Sequence, residues 1–411
     1  MGPAPGGRPQ RARRALPGPG GPPLPRDDDR ASVTNRLTAS LTLRQPLRRG
    51  RGREVTTATE RAAAKELEAQ QFDLQHAVAI RLRATVVEYW LTTAARRALE
   101  ISKESEQRSL VLLETLRRLI EAEVLPRADL VQLEADLGSR TANRIAAERT
   151  LHAAHRRLAI EIGLRFEEAE RLPLPVDRFP AFETDADLLS ATALARQARA
   201  TRSDVRAALS RRDAAEILRR AAKDQLASRL DLVVTPSYQS VELGGAASDA
   251  FGPLSGGVDG FGGFVGFEFE RPLGNRRARG DLLQAEADLR QSELEVDQIA
   301  ERIGVLVLDS AQAVADRRAQ LERITAAQEL FATVVENEEK KLRAGTSTLI
   351  DVISQSDRLT GAQQRQVNAE LALALAMLEL RFQSGTLVDQ VGDQIAVAAD
   401  DLLTLRGIGD E

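Results

Sequence analysis

The two halves of this chain run through the same series of landmarks, and that repetition limits the fold more than any other feature. A short alternating stretch ends at a proline, and a very long amphipathic segment follows. A tight turn then leads to an aspartate, and a second helical segment closes at a glycine. The landmarks are Pro46, Ala122, Asp129 and Gly163 in the first half, and Pro272, Ala344, Asp351 and Gly385 in the second. From the turn onward one offset of about 222 positions superposes the copies, pairing Leu137 with Leu359, Glu148 with Glu370 and Leu151 with Leu373.

Residues 54–121 keep helical spacing with no internal proline or glycine, which predicts a helix of about 68 residues and about 100 Å. The matching helix of the second half is expected from about residue 281 to 343, slightly shorter than the first. The stretch 164–183, with Pro173, Pro175 and Pro180, predicts a non-helical break, followed by a helix from Asp185 or Asp187 to about residue 228. Two shorter helices are thus expected to lie end to end along one long one. The expected organisation is a low-complexity start at 1–32, a first repeat at 33–163, and a second repeat at 164–411. The last of these holds the proline-rich segment, a helix, two strands, a long helix, its return helix and a short acidic tail.

The strands identify the surroundings. Counting back from each proline, one face reads Leu43, Leu41, Ala39 and Leu37 in the first copy, and Phe269, Phe267, Val265 and Gly263 in the second. The other face reads Arg44, Thr42, Ser40 and Thr38, against Glu270, Glu268, Gly266 and Phe264, so only Phe264 breaks the alternation. Period-two alternation means one wet and one dry face. A soluble sandwich would need a second sheet, and the many long helices leave no strands to build one. A membrane barrel puts the dry face on lipid and the polar face on water. A third strand is expected at 230–243, where Leu232 and Val234 alternate less cleanly with Asp231, Val233 and Thr235.

Aromatics make up only 3% of the 411 residues, a composition of bundles and coiled coils, and a net charge of -4 with interspersed signs favours no strongly charged partner. There is no cysteine, hence no disulfide, thiolate metal site or lipid-bearing cysteine. The arginines at 8, 11, 13 and 14 could attract phosphate, but no stacking aromatics interleave, and no nucleic-acid partner is expected. The start lacks the apolar run of a secretory signal. Repeat arithmetic puts about 64 residues, with a signal and a first strand, ahead of residue 1.

No catalytic arrangement is legible, so neither an enzyme nor a cofactor or metal site is expected. His152 and His155 lie three apart on one helix face without further ligands and read as solvated. Gly262, Gly263 and Gly266 feed a strand rather than opening a helix, which argues against a dinucleotide loop. Tyr89 and Trp90 read as packing residues. Asp129 and Asp351 sit just inside the helices that follow the two turns, where an acid favours the positive helix end, and Thr348 with Asp351 has capping-box spacing.

Strand, long helix, turn, return helix and proline-rich break, repeated twice, resemble the TolC-like outer-membrane efflux proteins. The most specific stretch is RAGTSTLIDVISQSDRL at 343–359, with the closing FQSGTL at 382–387. ARATRSDVRAALSRRDAAEILRRAAKDQL at 198–226, LRQPLRRGRGR and FERPLGNRRARG add to it. The resemblance implies a mainly α protomer of long antiparallel hairpins with a few membrane β-barrel strands. It also implies a homotrimer in the bacterial outer membrane and periplasm, docking to a periplasmic adaptor and an inner-membrane transporter. Export of small molecules, metals or proteins would be passive. On that resemblance Asp351 and Asp129 ring the periplasmic aperture, with bound cations or the neighbouring Lys341 and Arg343 to offset their charge. Phe267, Phe269, Val265, Leu41 and Leu43 face lipid, so Phe267→Arg is expected to impair assembly and Glu268→Arg to be tolerated. Family members carry four strands where three are legible here. The rivals are a soluble helical scaffold or adaptor without a pore, and a nonfunctional fragment of a channel.

Overall fold

The computed structural model describes residues 34–121, 128–180, 191–243, 258–391 and 394–396. These divide into a sheet unit, Met1–Arg49 with Ser228–Pro272, and a helical unit, Gly50–Ala227 with Leu273–Glu411. Each repeat therefore contributes to both units.

In the sheet unit, β1 (Thr34–Ser40) and β2 (Leu43–Pro46) both pair antiparallel with β3 (Arg229–Leu243), whose other edge pairs with β4 (Val258–Glu270). The register from Ser40 opposite Ser237 to Leu43 opposite Val234 runs on without a slip. β1 and β2 are thus one strand, interrupted where Pro236 has no N–H to donate. The ladder still holds there, because the Leu41 N–H reaches the Pro236 carbonyl at 3.1 Å. The third strand is in phase with the others, so its untidy reading in sequence resolves once the register is known.

The helical unit is built on two hairpins. The helix α2 (Ala58–Glu121) follows a single turn, α1 (Arg53–Thr56), and packs along α3 (Ala128–Ile162). After the short α4 (Phe166–Ala169) come α5 (Ala191–Thr201) and α6 (Ser203–Asp224). The second hairpin is α7 (Arg276–Arg343) with α8 (Leu349–Ser384). At 68 residues against 64, α7 is longer than α2, reversing the expected order. It starts five residues early because Gly274 and Asn275, both at positive φ, turn the chain directly into the helix. Gly280, facing open space, is carried inside at a cost of about 1 kcal/mol.

Two shorter helices do lie along one long one. The first part of α2 meets α6, with Ala69 and Ala207 fully buried beside Phe72, and the later part meets α3 through Leu99, Leu151 and Ala154. Alanines at these crossings let the backbones approach closely. A larger core joins α5, α6, α7 and α8 through Leu194, Val205, Val307, Val314 and Leu380.

Both return helices end alike. Gly163 has φ 84° and Gly385 φ 77°. The next N–H bonds back five residues at 3.0 Å in each copy, Leu164 to Ala159 and Thr386 to Arg381. Glycine is required at both because a left-handed cap residue closes the helix.

The helix expected to reach residue 228 is instead broken at Arg202, without proline or glycine. Its side chain is buried and donates to the Gln383 carbonyl (3.0 Å), the Gln383 side-chain oxygen (2.7 Å) and Asp204 (2.9 Å). Those bonds, absent from any local pattern, offset the lost helical turn. A further departure is the two-stranded hairpin β5 (Asp389–Val391) and β6 (Gln394–Ala396), where only a tail was expected. The first turn, the low-complexity start and the rest of the tail lie outside the described residues.

Candidate functional site

Register arithmetic assigns every described sheet residue to a face. On one face Leu47, Leu230 and Phe269 form a row, followed by Gln45, Leu232 and Phe267, then Leu43, Val234 and Val265. Leu41, Pro236 and Gly263 come next, and then Ala39, Tyr238 and Phe261. Five rows over eight residue steps span about 27 Å at about 3.4 Å per residue. All seven side chains Leu41, Leu43, Phe261, Val265, Phe267, Phe269 and Gln45 stand exposed. Tyr238 and Phe261 touch at 5.3 Å between ring centres, closing the band with an aromatic pair.

The opposite face is polar and ion-paired. Asp231, on the central strand, is only 2% exposed, because Arg44 (3.3 Å) and Arg229 (2.7 Å) cover it. Arg44 also reaches Glu268 at 2.9 Å, and Glu270 lies 3.6 Å from both Arg49 and Arg229. Phe264, the break in the alternation, folds its ring over Gly266, where a Cβ would come within 2.4 Å of it. The glycine makes the aromatic tolerable on this face. Glu268→Arg would replace the carboxylate that Arg44 reaches by a third cation beside Arg44 and Arg229.

At the second turn, Gly345 (φ 71°) and the Thr346 N–H bonded to the Lys341 carbonyl close α7. Thr348 caps α8: its hydroxyl accepts the Asp351 N–H at 3.3 Å, and the Asp351 carboxylate accepts from the Thr348 N–H (3.3 Å) and hydroxyl (2.6 Å). The capping box read from the spacing is therefore formed. Asp351 is exposed at the tip. Lys341 and Arg343 do not turn to it: Lys341 pairs with Glu338 at 3.1 Å, and Arg343 with Glu339 at 3.8 Å, one helical turn back. Glu338 is held below the usual carboxylate range by the Ser347 hydroxyl (2.5 Å) and by Lys341. Asp129 lies in the first turn of α3, and its side chain is outside the described residues.

Beyond this turn a buried arginine ties the hairpins together. Arg140 of α3 donates to Asp136 (2.6 Å), to Ser105 of α2 (2.5 Å) and to Asp357 of α8 (2.8 Å). Arg108 of α2 adds a bond to Thr360 of α8 at 3.2 Å. An apolar cluster of Leu113, Leu116, Leu133 and Leu349 joins the same three elements. Sequence reasoning passed over Arg140. Its neighbour in sequence space, Asp136, stands at i−4, but charge pairs of that spacing are common on solvated faces and carry no sign of burial.

Tyr89, Trp90 and His155 hold the proline-rich segment. Trp90 is buried and stacks on Phe179 at 5.5 Å, Tyr89 donates to Asp177, and the His155 ring bonds the Leu172 carbonyl at 2.9 Å. His155 is thus engaged rather than simply solvated. Among the described residues no group of three or more metal-binding side chains converges.

No protein-family model matches the chain, and no curated protein matches it in sequence. Solved structures match it in fold. The outer-membrane channel OprN superposes with a TM-score of 0.66 at 16% identity, over 87% of this chain and 82% of its own. The outer membrane protein VceC from Vibrio cholerae gives 0.65 at 17% identity, over 86% and 87%. The Campylobacter jejuni CmeC outer membrane channel gives 0.66 at 13% identity, over 87% and 78%. With strand, long helix and return helix recurring in the same order along the described chain, the chain has the TolC-like outer-membrane channel fold.

Proposed function

We propose that this protein is a passive outer-membrane channel of a tripartite efflux or type I secretion system. It works as a homotrimer with a periplasmic adaptor and an inner-membrane transporter, and its cargo is small molecules, metals or proteins. The observation that carries the reading is the sheet. Its dry face is about 27 Å tall, against an apolar band of about 25 Å in outer-membrane barrels, and its reverse is hydrophilic. Both outer edges of this sheet are unpaired among the described residues, and closure by further copies removes such edges. No described helix is long and apolar enough to cross a membrane, and in this reading the sheet is the spanning part. A soluble scaffold would leave the exposed Phe261, Val265, Phe267 and Phe269 side chains of one strand face in water. In the channel, Asp351 and Asp129 converge around the threefold axis at the inner aperture.

The test is conductance of the purified chain in planar bilayers, with assembly followed on detergent gels. Phe267→Arg places a cation in the lipid-facing row at a cost of about 2–4 kcal/mol near the midplane and should impair assembly. Thr38→Arg, on the polar face, should assemble. Equal behaviour of the two variants would remove the lipid-facing assignment, and absence of conductance would remove the channel.

A further inference from the structure

Resting on the channel reading, we propose that Arg44, Arg49, Arg229, Asp231, Glu268 and Glu270 form a charge-compensated belt. This belt keeps the passage lined by the sheet's polar face without preference for either sign of ion. Three cations meet three anions through contacts of 2.7–3.6 Å. Asp231 is enclosed, while the Arg44, Glu268 and Glu270 side chains are 42%, 47% and 54% exposed, so the belt's outer members meet the water of the passage.

The rows beyond the belt carry no charge. They are Thr42, Thr235 and Phe264, then Ser40, Ser237 and Gly262, then Thr38, Gln239 and Gly260, with Arg36 the next ionic group. The ionic groups of this face are therefore concentrated in the belt, ahead of three uncharged rows. Val233, buried, and the Phe264 ring over Gly266 flank that level with apolar surface, which weakens local screening. With the belt balanced, an ion of either sign passes it without preference. Removing one member leaves a net charge in every copy, and three copies place three such charges around the axis.

The experiment is reversal potential in a KCl gradient, on the full chain in planar bilayers. Three uncompensated charges about 10 Å from the axis, screened over a Debye length of about 10 Å, change the K⁺ to Cl⁻ permeability ratio about fivefold. Arg44→Gln should shift the ratio toward K⁺, Glu268→Gln toward Cl⁻, and the double variant should return to the parent value. If Arg44→Gln does not insert, Glu270→Gln beside Glu268→Gln reads the same balance, each moving toward Cl⁻. Conducting variants whose ratio stays at the parent value, or shifts in one direction for both signs of change, overturn the belt and leave the channel standing. A parent protein without conductance overturns both.

Discussion

Replacing Arg140 by methionine tests whether the two hairpins are fastened through one buried guanidinium. The arginine is 6% exposed and Asp136 13%, so the substitution strands a carboxylate that keeps only the Ser109 hydroxyl, at 2.9 Å. Breaking a buried pair in this way costs about 3–5 kcal/mol, whereas loss of an exposed partner costs about 0–1 kcal/mol. Asp357 is 62% exposed, so Asp357→Ala belongs to the second class. Hydrogen exchange resolved by peptide is the suitable assay, because it reads local opening element by element. In α2 around Ser105, α3 around Arg140 and α8 around Thr360, Arg140→Met should speed exchange about a hundredfold to several thousandfold. Asp357→Ala should speed it less than about tenfold. The double variant Arg140→Met with Asp136→Leu removes both charges and should recover most of the protection. Equal acceleration by Arg140→Met and Asp357→Ala, or a double variant as open as the sum of its parts, would refute the buried-pair argument.

Burial, reinforced by the bond to Asp177, pushes the Tyr89 hydroxyl up to about 12. The unfolded chain ionises near 10, so this contribution to stability is intact below about pH 10 and is lost as pH rises through about 12. Difference absorbance titration against Tyr89→Phe reads the midpoint directly, Asp177→Asn should lower it, and a parent midpoint near 10 would contradict the packing. Burial also raises the Glu370 carboxyl, with Arg97 opposing. Its contribution is present below the unfolded value and lost as pH rises through the folded one, so Glu370→Gln should raise thermal stability more at pH 7 than at pH 4. Gly163→Ala meets only the left-handed strain of about 1–2 kcal/mol, whereas at Gly385 a Cβ also falls 2.9 Å from Arg202 Cγ, so Gly385→Ala should lower the melting temperature further. Thr348→Ala should cost about 0.5–2 kcal/mol of cap with conduction unchanged, and Asp351→Asn should change conductance and cation block. Unaltered conduction in Asp351→Asn would leave Asp351 as a cap alone.

The helical framework was legible because its signals are local. A long run without proline or glycine, a glycine at each helix end and a Thr348–Asp351 spacing each fix a few dihedrals by themselves. The structure returns them as α2, α3, α7 and α8 with matching closures at Gly163 and Gly385. Where reading failed, the deciding partner was far away in sequence. The break at Arg202 depends on Gln383, 181 residues on, and the fastening of the hairpins on Arg140 reaching Asp357, 217 residues on. A single sequence carries no pairing information at such distances.

The sheet lies between these cases. Alternation divided the first and last strands correctly, since period two needs no partner to be seen. β3 read poorly for a physical reason: Val233 and Pro236 stand where their neighbours, not their own sequence, make them acceptable. Val233 lies opposite Gly266 and Arg44 in the register, and Pro236 sits opposite Gly263 and spends its missing donor at the gap between β1 and β2. The same register that repairs the reading also discloses what alternation alone conceals. Arg44, Asp231, Glu268 and Glu270 come from three separated strands, and as isolated positions they mark only a wet surface. Placed side by side with Arg49 and Arg229 they cancel, and a face on which charges cancel in one belt and are absent from the next three rows constrains what can pass along it in a way that no strand shows by itself.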